Sequence, residues 1–164
     1  MLALARVFDA RIERFGRLYE DFEIGDLFIH WPGKTITDAE NNFFCHLTLA
    51  SSPIHTDQNY ALMEMAQGKN LVVGTYIYAL LTGMSVPDIS GLARASLEVK
   101  NLKHVIPVYP GDTIYGSTSI LDKRESKSNP KVGLVTVQTI GTNQNNEKVC
   151  IFERVFMVPK RATK

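Results

Sequence analysis

Four runs rich in β-branched and aromatic residues dominate the second half of the sequence. The turn clusters between the last three runs are too short to hold a helix. Antiparallel strands need only such short turns, whereas parallel strands need a long crossover connection. This half of the chain is therefore predicted to form an antiparallel meander, with strands at Ala95–Leu102, Thr113–Asp122, Val132–Asn143 and Lys148–Pro159.

The first half predicts helices that follow short strand-like segments. Asp38 is a candidate N-cap for a helix that runs to about Leu49, and Asp57 for a second helix over 58–66. A third segment, Gly74 to Met84, is apolar nearly all round, as expected of a helix buried in a core or a subunit contact. The predicted class is α+β, with one antiparallel sheet wrapped around the helical segment.

Length and composition set the limits of the prediction. The 164 residues are typical of one domain, which we place at residues 19–164 after a helical N-terminal extension at residues 1–18. A net charge of +1 gives no electrostatic case for nucleic acid. The longest apolar stretch, Leu71 to Val86, contains several Gly, Thr and Tyr residues, so no membrane span is predicted.

An open sheet leaves an edge strand to cover, which predicts a homodimer or a higher homo-oligomer.

The two cysteines, Cys45 and Cys150, are 105 positions apart and both have apolar neighbours. Neither belongs to a pattern with the spacing of metal ligands, so no metal site is predicted. Buried free thiols in a reducing cytoplasm are the favoured interpretation.

The densest polar segment is Ser51-Ser52-Pro53-Ile54-His55-Thr56-Asp57, between two predicted helices. An imidazole with a pKa near 6.5 is suited to proton transfer at neutral pH, although a loop histidine is more often structural. Asp57 is read as a helix cap in preference to a partner of His55. Gly74 is at the start of the apolar helix, and two roles are equally open for it. Its free amide could stabilise an oxyanion, or the glycine could only permit close packing.

Three other histidines have weaker cases for a catalytic role. His30 and His104 lie at strand ends. His46 lies inside an apolar helix and is predicted to be a core or interface residue.

Several short motifs in a fixed order carry a resemblance to a known family. They are Pro53-Ile54-His55-Thr56-Asp57, Tyr60-Ala61, the helix that begins at Gly74, Pro107-Val108-Tyr109-Pro110-Gly111-Asp112-Thr113 and the turn Gln144-Asn145-Asn146-Glu147. Together they resemble the MaoC-like dehydratase family, which includes the (R)-specific enoyl-CoA hydratases of the hot-dog fold. The segments Tyr19–Asp26 and Pro32–Thr37 are similar to the branch of mesaconyl-CoA hydratases and β-methylmalyl-CoA dehydratases. The resemblance covers roughly residues 19–160.

The resemblance implies a long helix wrapped by a curved antiparallel sheet, in a dimer that binds acyl-CoA near the subunit contact. It implies syn addition or removal of water at the 2,3 bond of a CoA thioester, with no cofactor beyond that substrate. By the same resemblance, His55 is the catalytic histidine and Gly74 supplies the oxyanion hole. Thr82 matches a small hydroxyl residue that lines the site.

The sequence departs from this pattern at Ala50, where the family has a catalytic Asp five positions before the histidine. An alanine side chain neither accepts a proton nor orients a water molecule. Ser51, Ser52 or Asn42 would then have to hold the water, and His55 would transfer protons alone.

Two other functions remain open at this stage. The first is an acyl-CoA-binding protein that has lost turnover, which Ala50 favours. The second is a hot-dog thioesterase, for which Glu40 and Glu64 are the candidate carboxylates. Lys100, Lys103 and Arg94 are candidates for binding the CoA phosphates.

Overall fold

A computed structural model describes residues 15–162. Most of the predicted N-terminal extension, residues 1–14, lies outside the described residues. Its last part, 15–18, is not helical, because its hydrogen bonds go to a distant segment. The amide nitrogen of Gly16 donates to Pro87 O at 2.7 Å, and Arg17 Nε donates to Asp88 O at 2.9 Å. These four residues therefore pack against the domain.

Four helices lie in the first half of the described chain. They are α1 (Asp38–Thr48), α2 (Pro53–Thr56), α3 (Gln58–Glu64) and α4 (Gly74–Met84). The short α2 occupies part of the segment predicted as a loop.

The N-caps of α1 and α3 test two sequence predictions. The prediction that Asp38 caps α1 is wrong: Thr37 is the cap, because its hydroxyl accepts from the Glu40 amide while the Glu40 carboxylate accepts from the Thr37 amide. The predicted cap of α3 is confirmed, since the Tyr60 amide donates to Asp57 Oδ1 at 2.9 Å.

Six antiparallel strands form the sheet, which confirms the predicted meander. Their order is β1-β4-β5-β6-β3, and β2 pairs with β4 off this path. A 3-10 turn (Tyr19–Asp21) precedes β1, and a π-helical turn (Val86–Ser90) follows α4. The strands are β1 (Leu27–Ile29), β2 (Lys34–Thr35), β3 (Ala95–His104), β4 (Thr113–Glu125), β5 (Val132–Thr142) and β6 (Lys148–Pro159).

Helix α4 packs against the concave face of the sheet. Gly141 in β5 permits this approach, because a Cβ atom there would lie 2.5 Å from Cδ1 of Leu81. Apolar residues of β6 and of the segments flanking β3 and β4 close around the same helix. This core cluster comprises Ile36, Val72, Ile77, Leu81, Val108, Ile114, Val149, Cys150 and Phe152.

A chain of buried polar side chains joins β1 to the rest of the sheet. His30 Nδ1 donates to Asp88 Oδ2 at 2.8 Å, and its Nε2 lies 2.7 Å from Thr118 Oγ1. Thr118 Oγ1 lies 2.9 Å from Thr139 Oγ1. His30 is 2% exposed, so its role in this structure is to connect buried elements.

The outer strand β3 exposes large apolar side chains on both faces. Leu97, Val99 and Leu102 are between 41% and 48% exposed. Unpaired edge strands are normally covered or charged in stable proteins. Among residues 15–162, no helix is both long enough and apolar enough to cross a membrane.

Candidate active site

A hydrogen bond to the backbone of Leu71 orients the ring of His55, which lies on the short helix α2. Its Nδ1 lies 2.9 Å from the carbonyl oxygen of Leu71, and a carbonyl only accepts, so Nδ1 carries the hydrogen. In the neutral ring Nε2 is then the unprotonated nitrogen. Within the part of the chain that the structure describes, no protein atom hydrogen-bonds to this Nε2. The ring is therefore arranged to accept a proton through Nε2.

Two buried asparagines hold the turn that carries His55, and sequence analysis identified neither of them. Asn41 is 1% exposed and donates to the carbonyls of His55 and Leu71 at 3.0 and 3.3 Å. Asn70 donates to carbonyls at both ends of α2, at 3.2 Å to Ile54 and 3.1 Å to Asp57. Both lie in polar stretches of the sequence, Asn41 after Glu40 and Asn70 after Lys69, so no local pattern distinguishes them from exposed asparagines.

Gly74 is the first residue of α4, an eleven-residue helix. The first amides of a helix lack internal acceptors and carry part of the positive end of its dipole. The amide of the preceding residue, Val73, is used structurally, because it donates to Asn41 Oδ1 at 3.0 Å. Among the described residues, no acceptor takes the Gly74 amide hydrogen. That amide is thus available to a bound carbonyl oxygen.

His55 and Gly74 line the same cleft, which has a volume of about 310 Å³ and which we call the His55 cleft. Its wall also includes His104, which sequence analysis placed only at a strand end. The remaining lining residues are apolar: Leu71, Val72, Ile77, Val105, Ile106, Pro107, Val108 and Val149. Among the lining residues that the structure describes, the two imidazoles are therefore the only polar side chains. No carboxylate lies among them.

The other predicted site residues lie outside this lining. Ser51 and Ser52 are exposed in the segment before α2, and Asn42 is half-buried on α1. Thr82 lies on α4, about 12 Å along the axis from Gly74. Its Oγ1 is buried and has no hydrogen-bond partner in the described structure.

Ala50 follows the C-cap of α1. Its amide donates to Cys45 O at 3.0 Å, and the preceding Leu49 has a left-handed backbone with φ of 57°. The residue is half-buried and does not line the His55 cleft.

Three further predicted residues have different surroundings from those expected. Of the two alternatives predicted for His46, the core is wrong, because the residue is exposed on α1, and the interface stays a prediction. Glu40 pairs with Lys34, and this hydrogen bond lowers the pKa of the Glu40 carboxyl. Glu64 is exposed on α3. Neither carboxylate lines the His55 cleft.

The candidate phosphate-binding residues lie on or next to β3. Lys103 is exposed beside His104, Arg94 is exposed just before the strand, and Lys100 pairs with Glu98 at 2.9 Å. Among residues 15–162, no cluster of three or more His, Cys, Asp and Glu side chains is placed to hold a metal ion.

The architecture is that of the hot-dog fold, in which an antiparallel sheet wraps a helix. A crystal structure of a MaoC domain protein from Chloroflexus aurantiacus matches 92% of this chain with a TM-score of 0.85 and 28% identity. The match covers 42% of that protein. This fold and the His55 cleft define a MaoC-like hot-dog protein.

The sequence comparisons are more specific. The family model for mesaconyl-CoA hydratase matches residues 3–164, so the chain belongs to the mesaconyl-CoA hydratase family. It is 31% identical to the mesaconyl-CoA hydratase of Cereibacter sphaeroides over 90% of this chain and 43% of that protein. It is 29% identical to the β-methylmalyl-CoA dehydratase of Chloroflexus aurantiacus over 89% of this chain and 41% of that protein. The chain thus spans less than half the length of these two relatives.

Proposed function

We propose that this protein adds water to, or removes it from, the 2,3 bond of an acyl-CoA thioester. The observation that carries the proposal is the His55 cleft, where an oriented imidazole and the free amide of Gly74 line one cavity. Such a pair supplies the two functions that hydration needs, a proton acceptor for water and a donor for the thioester oxygen. The names of the relatives favour a short, branched acyl group.

In the proposed reaction, Nε2 of His55 accepts a proton from water as the water oxygen bonds to C3 of the enoyl group. The electrons of the 2,3 double bond move toward the thioester, and the Gly74 amide stabilises the charge that develops on its oxygen. The proton on His55 then goes to C2, which gives the 3-hydroxyacyl thioester. Dehydration follows the same steps in reverse.

The experiment measures hydration of crotonyl-CoA and mesaconyl-CoA as loss of the enoyl absorbance. We expect His55→Ala to lower kcat by about 10²- to 10⁴-fold, the usual contribution of a positioned acid–base group. His46→Ala is the matched control, because His46 is exposed on α1. Equal rates for wild type and His55→Ala would rule out the assigned role of His55.

Ala50 favours a second candidate, a protein that binds acyl-CoA without turning it over. Wild-type protein that binds a CoA thioester but does not hydrate it would support this candidate. Ala50→Asp restores the carboxylate of the family pattern, and a rise in hydration rate would show that the catalytic pair is incomplete. A free-thiol assay in the same reactions detects hydrolysis, which is the thioesterase outcome.

The proposal includes a homodimer that covers β3. Among the described strands, β3 pairs only with β6, and its apolar side chains Leu97, Val99 and Leu102 are exposed. Pairing with a second copy satisfies the free backbone edge and buries these side chains. Sedimentation of wild type and Val99→Lys tests this, with a dimer expected for the first and a shift toward monomer for the second. The free buried thiols support a reducing compartment such as the cytoplasm.

A further inference from the structure

His104 packs directly against the start of α4. A Cβ atom built on Gly74 would lie 2.7 Å from Nε2 of His104, 2.8 Å from Cε1 and 3.0 Å from Cδ2. Real Cβ atoms almost never approach other heavy atoms this closely, so any other residue at position 74 would displace the imidazole. The glycine therefore lets a histidine ring approach the start of α4, where the first amides of the helix have no internal acceptor.

The strand that carries His104 aims the ring into the cleft. His104 is the last residue of β3 and pairs with Cys150 of β6, whose side chain is buried on the inner face of the sheet. Residues directly opposite each other in a sheet point to the same face. A register shift between Lys100 and Lys103 precedes the pair, and Asn101 within it has φ of 53°. Such bulges commonly redirect a side chain near an active site.

The polar side chains of the cleft leave few candidates for the second catalytic group. Within residues 15–162, His55 and His104 are the only polar side chains in the lining, and position 50 is alanine. His55 has its Nδ1 bound to Leu71 O, whereas neither ring nitrogen of His104 is hydrogen-bonded to another described residue. His104 is also the imidazole that contacts Gly74, the residue whose amide would bind the thioester oxygen. Because of these differences, we expect His55 and His104 to have different roles in the reaction.

We propose that Nε2 of His104 is a second hydrogen-bond donor to the thioester oxygen, beside the Gly74 amide. This inference rests on the proposed function. The neutral ring carries its hydrogen on Nε2, donates it to the oxygen as charge develops there, and keeps it throughout the reaction. Proton transfer to and from carbon and water remains with His55. A donor next to a helix N-terminus acts where the transition-state charge is largest.

Two substitutions separate donation from proton transfer. His104→Gln keeps an N–H donor that does not titrate, and His104→Ala removes the donor. Loss of one oxyanion-hole donor typically costs about 10²- to 10³-fold in kcat. We expect that loss in hydration of mesaconyl-CoA for His104→Ala, and a rate within about tenfold of wild type for His104→Gln. His46→Ala is the control for a histidine outside the cleft.

A second measurement does not depend on turnover. Acetoacetyl-CoA forms an enolate whose thioester oxygen the same donors would stabilise, and the enolate has its own ultraviolet absorbance. At fixed pH and saturating protein, we expect the enolate fraction to fall for His104→Ala and to be largely retained for His104→Gln. Circular dichroism shows whether each variant keeps the fold.

The outcomes distinguish the two proposals. If wild type hydrates no enoyl-CoA but the enolate fraction still depends on His104, the proposed function fails and the donor assignment stands. If wild type hydrates its substrate and His104→Ala matches it in both measurements, the assignment of His104 is wrong. Equal impairment of His104→Gln and His104→Ala in both measurements would also overturn it, because the role would then require a titrating group.

Discussion

The Oδ1 atom of Asn41 accepts the amide hydrogen of Val73 at 3.0 Å, and the Nδ2 atom of the same side chain donates to the carbonyl of His55 at 3.0 Å. One buried side chain thus connects the start of α4 with the turn that carries the candidate base. Asn41 therefore contributes to the relative position of His55 and Gly74, together with Asn70 and the hydrogen bond from the Leu71 amide to Ile54 O.

We predict that Asn41→Ala lowers the free energy of unfolding by about 2–4 kcal/mol, because it leaves buried backbone groups without partners. It should also reduce kcat, since both groups of the site lose their support. Urea unfolding and enoyl-CoA hydration measure the two effects. The matched control for stability is Asn42→Ala on the same helix, because the Asn42 side chain is half-buried and makes no hydrogen bond to another described residue. A loss of stability that is no larger for Asn41→Ala than for the control would contradict the assigned role.

A second prediction concerns the buried thiols. Burial raises the pKa of the Cys150 thiol to about 11 from its ordinary value of 9.0, and it also raises the pKa of Cys45. Thiolates are the reactive form, so we expect both cysteines to react slowly with Ellman's reagent at pH 8 in the folded protein and quickly after denaturation. Fast reaction of two thiols per chain under native conditions would show that the core is open.

The same shift predicts how stability depends on pH. The folded state keeps the proton on Cys150 to higher pH than the unfolded chain does. This contribution to stability is therefore fully present below pH 9 and is lost as the pH rises toward about 11. Urea unfolding of wild type and Cys150→Ala across this range tests it: the difference between the two should shrink with rising pH. A constant difference would contradict the prediction.

A third prediction concerns Arg154, a buried cation that forms no ion pair with any residue that the structure describes. Arg154 is 3% exposed, and its one hydrogen bond is from Nη2 to Ser85 Oγ at 2.7 Å. Its Nε has no partner in the described structure, and burial lowers the pKa of its guanidinium. Replacing a poorly paired buried charge by an apolar side chain of similar volume is often stabilising.

We therefore expect Arg154→Met to raise the free energy of unfolding by about 1–3 kcal/mol. Thermal and urea unfolding measure the change, and Arg124→Met on the exposed side of β4 is the control. A large loss of stability for Arg154→Met would mean that the guanidinium has a partner in the assembled protein.

A fourth prediction concerns the His30 chain. His30→Ala leaves Asp88 Oδ2 and Thr118 Oγ1 without this partner, and we expect a loss of about 2–4 kcal/mol in unfolding free energy. We expect kcat for hydration to change little in the folded variant, because His30 does not line the His55 cleft. His46→Ala is the surface control. Equal stability of the two variants would show that the His30 contacts contribute nothing net.

The elements of the fold could be read from local patterns. The β-branched runs and short turns specify the meander, and the helix that begins at Gly74 ends at Met84 as predicted. The cap of α1 was misplaced by one residue, because Thr37 and Asp38 are both good capping residues and only the reciprocal contact with Glu40 decides between them. The short helix α2 has no hydrophobic periodicity of its own, because four residues are too few to show a helical pattern.

The candidate site was partly accessible to sequence reasoning. His55 and Gly74 were found through motifs, but His104 was not, because it reaches the cleft only through pairing with a strand almost fifty residues later. Asn41 was missed in favour of its neighbour Asn42, since the rotation of a helix against its core cannot be fixed from one polar residue. Both residues, His104 and Asn41, thus reach the site through tertiary packing, which local sequence patterns do not specify.

The pairing of β1 with β4 also determines how this chain folds. Leu27 lies opposite Ser119, so β1 finds its partner only after the chain has been made as far as Ser119. Closing so long a loop is entropically costly, and folds dominated by such distant contacts reach the native state in milliseconds to seconds. During synthesis on the ribosome, the backbone groups of β1 therefore lack their hydrogen-bond partners until β4 has been made. In this interval the nascent chain is exposed to aggregation and to binding by chaperones.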